Sequence, residues 1–174
     1  KEEVAVSKGN IYAVKGNSYK DQIDCEYAIE NYNYAIAEYK TVSAHTGAQN
    51  NLALVYLEKG NCLLDLGDLK NAAFNFNSAK VIASTNGLLE YSNYAEFSLA
   101  KIDTEEKKFD AAIVRLLSLK NDEQLSIQSS MELRVFDLLK ENYKQTNNLD
   151  AYLDMQEKYA NSLAQLEDAE NTNF

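Results

Sequence analysis

The strongest constraint in this chain is that it repeats itself. Gly16, Ala28, Tyr32 and Ala35 recur as Gly60, Ala72, Phe76 and Ala79, with the same internal offsets of 12, four and three residues. The flanks recur as well: Tyr12-x-x-Lys15-Gly16-Asn17 is matched by Tyr56-x-x-Lys59-Gly60-Asn61. A third, weaker copy runs through Leu99, Ala100, Phe109, Ala112, Leu116 and Leu119, and a fourth through Phe136, Leu139, Tyr143, Leu149, Tyr152 and Tyr159. The copies begin 44, 40 and 40 residues apart. A period of this size means supersecondary units that cannot bury their apolar faces alone and therefore stack.

What repeats is helical. Proline is absent and there are only six glycines, so the usual punctuation of strands and turns is sparse. Ala28, Tyr32, Ala35 and Tyr39 are spaced by threes and fours, as are Ala72, Phe76, Ala79 and Ala83, and Leu133, Phe136, Leu139 and Tyr143. That spacing marks one face of a helix, not the alternation of a strand. Turn chemistry falls between the periodic stretches. Gly67-Asp68 offers a glycine helix end followed by an N-cap, and Asn147-Asn148 does the same with asparagine. His45-Thr46-Gly47, Asn86-Gly87 and Lys120-Asn121-Asp122 mark further breaks. About eight helices of roughly 11 to 25 residues are expected, with no strand.

The recurring small residues have a packing purpose. Gly16, Gly60 and Ala100 on each first helix let its partner approach, and Ala28, Ala72 and Ala112 do so from the other side. Tyr32, Phe76 and Leu116 are then expected to fill the gap between one hairpin and the next. In the fourth copy Lys140 and Tyr152 stand at the small positions, so looser, cap-like packing is expected there.

This pattern resembles the tetratricopeptide repeat (TPR), and the resemblance covers nearly all of the chain. The second copy carries it best, because Gly67-Asp68-Leu69-Lys70-Asn71-Ala72 also matches the family's inter-helix turn. The family's tryptophan and closing proline are missing, Glu96 stands at the third copy's first aromatic position, and the period is longer than usual. The resemblance implies an all-α, right-handed α-solenoid of about four helical hairpins, in units near 9–47, 48–87, 88–121 and 122–170 of one repeat domain. Long-helix variants of this kind occur in bacterial regulators. The chain, which opens on Lys1, is therefore expected to be a piece of a longer protein such as a transcriptional regulator.

Composition removes several functions. Seventeen basic against 27 acidic side chains give a net charge of −10, which disfavours nucleic acid as a partner. The longest apolar run, Leu52 to Leu57, is too short to span a bilayer, and no secretory leader is evident. The compartment stays open. Cys25 and Cys62 are too far apart in sequence for a zinc pair and read as two buried free thiols. The single histidine, His45, has no nucleophile or metal partner by spacing and reads as a surface or helix-end residue. Asp65 and Asp68 lack the further ligands of a calcium loop. Neither catalysis nor a cofactor is expected.

The remaining expectation is protein or peptide binding. In stacked hairpins the first helices line a groove, and the residue after each small one projects into it: Asn17, Asn61 and Lys101. The same helical phase carries Lys20, Leu57, Leu64, Tyr94, Phe97, Arg134 and Lys144. Asn17 and Asn61 match the family position that commonly bonds a peptide backbone or terminal carboxylate, and an amide both donates and accepts. Bonding within the stack is the other reading of these two residues. Leu57, Leu64, Tyr94 and Phe97 would supply an apolar pocket. Residues 1–87 carry a net charge of −2 and residues 88–174 a net of −8. An oligomerisation module built on the acidic, tyrosine-rich second half, as a homodimer or scaffold, is the alternative function.

Overall fold

A computed structural model of the chain describes residues 1–120 and 129–172. Among them are eight α-helices and no strand: α1 (Glu2–Asp21), α2 (Cys25–Lys40), α3 (Thr46–Asp65), α4 (Leu69–Thr85), α5 (Leu89–Glu105), α6 (Phe109–Lys120), α7 (Ser129–Gln145) and α8 (Leu149–Thr172). The fold is an all-α helical repeat of the solenoid class. Two compact units divide the chain, Lys1–Ser98 and Leu99–Phe174, so α5 begins in the first and ends in the second. In the first unit α1 packs on α2, α2 on α3 and α3 on α4; in the second, α6 packs on α7 and α7 on α8. The predicted break at Lys120-Asn121-Asp122 lies, past its first residue, outside the described residues.

One turn closes all four hairpins. Ile23, Gly67, Lys107 and Asn147 have φ of 62, 77, 61 and 55°. In each case that residue's N–H bonds the carbonyl three back, at Lys20, Leu64, Thr104 and Lys144. The following N–H bonds the carbonyl five back, at Tyr19, Leu63, Asp103 and Tyr143. These are Schellman ends, which satisfy carbonyls that the finished helix leaves open. The next helix starts at once, and the side chains of Asp24, Asp68 and Asn148 accept the N–H of Tyr27, Asn71 and Ala151 as N-caps. His45 is also an N-cap: its Nδ1 accepts the Ala48 N–H at 3.2 Å, and Thr46 and Gly47 belong to α3.

The small positions work differently from the sequence expectation. Tyr32 and Phe76 do not merely fill a gap between hairpins; each ring lies on the glycine of its own hairpin, Gly16 and Gly60. A Cβ at Gly60 would stand 2.7 Å from Phe76 Cε1, closer than side chains approach. Gly9 and Tyr39 form a further pair of this kind in α1 and α2. All three rings are sealed from solvent. The second unit has its own core, with Ala112, Leu116, Val135 and Leu139 fully buried. In the fourth hairpin the Lys140 ammonium sits 4.2 Å from the Tyr159 ring centre, a cation–π contact where the other hairpins pack apolar surface. No described helix is long and apolar enough to cross a membrane.

Candidate functional site

The Gly-Asn dipeptides that suggested a ligand site are first of all sockets for tyrosine. Where Tyr32 covers Gly16, its hydroxyl donates to Asn17 Oδ1 at 2.8 Å. Where Tyr39 covers Gly9, its hydroxyl donates to Asn10 Oδ1 at 2.7 Å. Burial pushes both phenols above the ordinary tyrosine range, so they remain donors at any neutral pH. Phe76 covers Gly60 without a hydroxyl, and Asn61 Oδ1 instead accepts from Tyr94 of α5 at 3.2 Å.

Further polar contacts run across the first helices of the first unit. Asn51 of α3 donates to Asn10 Oδ1 at 2.9 Å, and Lys20 of α1 forms an ion pair with Glu58 of α3. Burial alone would lower the Lys20 pKa. The hydrogen bond and charge of Glu58 outweigh it, so the ammonium is held above its usual value. Asn17, Lys20, Glu58, Asn61 and Tyr94 thus form a polar ladder on α1, α3 and the first part of α5. Both asparagine oxygens already accept a phenol, Asn17 from Tyr32 of α2 and Asn61 from Tyr94 of α5. The amide N–H groups of Asn17, an exposed residue, and of half-buried Asn61 point to no partner that this ladder supplies.

The apolar half of the expected pocket is mostly core. Leu57 and Phe97 are 3% and 4% exposed, so they back the face and offer it little surface. Leu64 and Tyr94 are half-buried and reach it. Lys101, Arg134 and Lys144 belong to the second unit, where Lys101 is half-buried and the other two are exposed. Glu96, which replaces the third copy's first aromatic residue, forms an ion pair with Lys80 of α4. The structure gives the departure from the repeat a local reason.

Two features escaped the sequence reading. An apolar cavity of about 400 Å³ opens in the first unit, lined by Lys40, Leu52, Tyr56, Phe74, Val81 and Ile82 among others. Phe74 and Val81 are both 66% exposed, two turns apart on one face of α4. Their spacing of seven was visible, but the lysine and tyrosine that complete the wall come from α2 and α3. The second feature is the thiol pair. Cys25 is half-buried, which corrects the reading of two buried thiols, while Cys62 is fully buried. Burial, reinforced by the neighbouring Cys25 thiol, pushes the Cys62 pKa far up and keeps it protonated.

No family model matches the sequence, and no curated protein matches it significantly. Solved structures do. The aspartyl phosphate phosphatase F of Bacillus subtilis superposes with a TM-score of 0.83 at 13% identity, over 94% of this chain and 42% of its own. BtubC (BKLC) from P. vanneervenii superposes with a TM-score of 0.76 at 14% identity, over 91% of this chain and 64% of its own. At such identities the likeness is one of fold. The chain spans less than two thirds of either protein.

Proposed function

We propose that the chain is a non-catalytic, TPR-like module that binds an extended segment of a partner protein along the polar ladder of α1, α3 and α5. It serves, in this reading, as the regulatory or sensory part of a larger bacterial protein such as a transcriptional regulator. The observation that carries the proposal is the mutual bracing of the ladder. Lys20 is held by Glu58 and Asn61 by Tyr94, so the groups that would meet a peptide are fixed before it arrives. Asn17 and Asn61 then offer amide N–H groups to peptide carbonyls, Glu58 accepts a peptide N–H, and Leu64 with Tyr94 receives a side chain. Lys20 is already neutralised by Glu58, so a peptide backbone suits this face better than a free carboxylate. Within the second unit, taken by itself, Lys101, Arg134 and Lys144 are the proposed cationic peptide contacts. That the chain matches only part of a longer bacterial protein of the same fold supports the placement in a larger regulator.

The test is selection from a displayed library of random peptides, followed by calorimetric titration of the selected peptides. Asn61→Ala is expected to weaken binding about tenfold, a loss of roughly 1.4 kcal/mol, with the helical circular dichroism unchanged. Equal affinity in wild type and variant would overturn the assignment.

A further inference from the structure

The apolar cavity of the first unit shares no residue with the polar ladder, and its chemistry is of a different kind. Leu52 and Tyr56 of α3, 4% and 6% exposed, form its base, and Phe74, Val81 and Ile82 of α4 flank them. The repeat does not require this α4 wall. By the 44-residue period, Phe74 and Val81 take the places of Glu30 and Ala37 on α2, both exposed. The volume of about 400 Å³ is that of a small-molecule site, which typically encloses roughly 300–1,000 Å³.

Most polar groups around the cavity are spent on their own helix. Asn77 Nδ2 donates to the Ala73 carbonyl and the Ser78 hydroxyl to the Phe74 carbonyl, each at 2.9 Å. No lining side chain is acidic. The exception is Lys40, the last residue of α2, whose ammonium stands 5.8 Å from the centre of the Tyr56 ring.

That ammonium belongs to a cationic pair with no counter-charge. Of the half-buried lysines of the first unit, Lys20 and Lys80 hold Glu58 and Glu96. Lys59 holds only the neutral Asn33 Oδ1, at 2.7 Å. Its pKa is held below the usual lysine value, first by burial and then by the charge of Lys40. Among the described residues no carboxylate forms an ion pair with Lys40 or Lys59. In a chain of net charge −10, positive charge gathered beside apolar surface without an acidic partner is complementary to an anion that carries an apolar body.

We propose that this cavity binds a small monocarboxylate with an apolar body. The body of the ligand lies on Tyr56, Phe74 and Val81, and its carboxylate meets Lys40, with the charge of Lys59 behind it. One ammonium beside a cavity of this size matches one headgroup. A protein partner would need far more surface, since a standard interface buries about 800 Å² on each side. The site stands apart from the peptide reading and does not depend on it.

Calorimetric titration of the 174-residue chain with octanoate tests this. One equivalent is expected to bind. Octanol, which keeps the alkyl chain and lacks the charge, should bind about tenfold more weakly, and octylammonium should not bind. Lys40→Gln should bring octanoate down to the affinity of octanol and leave octanol unchanged. Val81→Asp, at an exposed position, should abolish binding of both while the helical circular dichroism stays intact. Failure of octanoate to bind, octanol binding as tightly, or octanoate insensitive to Lys40→Gln or Val81→Asp would each overturn the proposal. So would a displayed peptide, or a second copy of the chain, that Val81→Asp dislodges while octanoate leaves it in place, since a macromolecule would then hold the cavity.

Discussion

Tyr32 lies on Gly16 and gives its hydroxyl to Asn17, so one side chain uses both members of a Gly-Asn dipeptide. Tyr39 treats Gly9 and Asn10 in the same way. The glycine removes the Cβ that would block the ring, and the asparagine satisfies the phenol that the ring carries into the core. Phe76 at Gly60 keeps the first half of this arrangement and omits the second, which leaves Asn61 Oδ1 for Tyr94.

Supplying the missing hydroxyl should therefore redirect Asn61. Phe76→Tyr is expected to change stability by less than about 1 kcal/mol, because the new phenol meets an acceptor already in place. In that background Tyr94→Phe should cost less than it does in the wild type, with a coupling of roughly 0.5–1 kcal/mol. Denaturant unfolding of the four proteins measures this. Strict additivity would show that Asn61 does not choose between the two rings.

Filling the glycine should fail where filling the hydroxyl succeeds. A methyl at Gly60 would meet Phe76 Cε1 at 2.7 Å and Cδ1 at 2.9 Å, and that ring has no exposed side toward which to swing. Gly60→Ala gains up to ~1 kcal/mol of helix propensity but incurs overpacking of about 1–3 kcal/mol, so a net loss is expected. Gly60→Leu should lose several kcal/mol. Adding Phe76→Leu to Gly60→Ala should recover part of the loss. An unchanged Tm in Gly60→Ala would contradict the packing described.

The glycines, alanines and rings of the first two hairpins were legible because their offsets are identical, and so were the turns at Gly67 and Asn147, whose residues favour positive φ. Ile23 and Lys107 adopt the same turn with side chains that give no such sign. Leu57 and Phe97 share a helical phase with groove residues, yet a first helix packed between two hairpins is buried around most of its circumference, and phase alone does not expose a side chain. The asparagine oxygens were ambiguous for a related reason. A residue after a glycine can serve a ligand or a neighbouring ring, and only the position of the ring decides.

The second unit holds a polar contact that the weaker copies concealed. Asn142 is fully buried; its Nδ2 donates to Thr104 Oγ1 at 2.9 Å and to the Leu138 carbonyl at 2.8 Å, linking α7 to α5. Thr104 in turn is within 3.1 Å of Asn142 Oδ1. Thr104→Val takes from buried Asn142 Oδ1 the hydroxyl it faces and should cost about 1–3 kcal/mol, whereas Asn142→Leu leaves the Thr104 hydroxyl its bond to the Ala100 carbonyl at 3.0 Å and should cost toward the lower end of that range. The double variant should cost less than the sum of the two, since no stranded group remains. Urea unfolding followed by circular dichroism reads the cycle. Additive losses would mean that the pair is not a unit.

The turn between α1 and α2 is the place where this chain can be stabilised by one substitution. Ile23 holds φ at 62°, a region in which a β-branched side chain clashes with its own backbone at a cost of roughly 1–2 kcal/mol. Its side chain is 92% exposed, so almost no burial compensates for the strain. The equivalent residue in the second hairpin, Gly67, has φ of 77° and no strain. Ile23→Gly removes the clash but adds freedom to the unfolded chain, which takes back roughly 0.5–1 kcal/mol. The net expectation is a gain of a few tenths to about 1 kcal/mol, seen as a higher urea midpoint with an unchanged slope. Gly67→Ile should lose a comparable or larger amount, because it imposes on the second hairpin the strain that the first already carries. If Ile23→Gly lowered the midpoint, the left-handed turn at that position would be wrong, and with it the equivalence of the four hairpin ends.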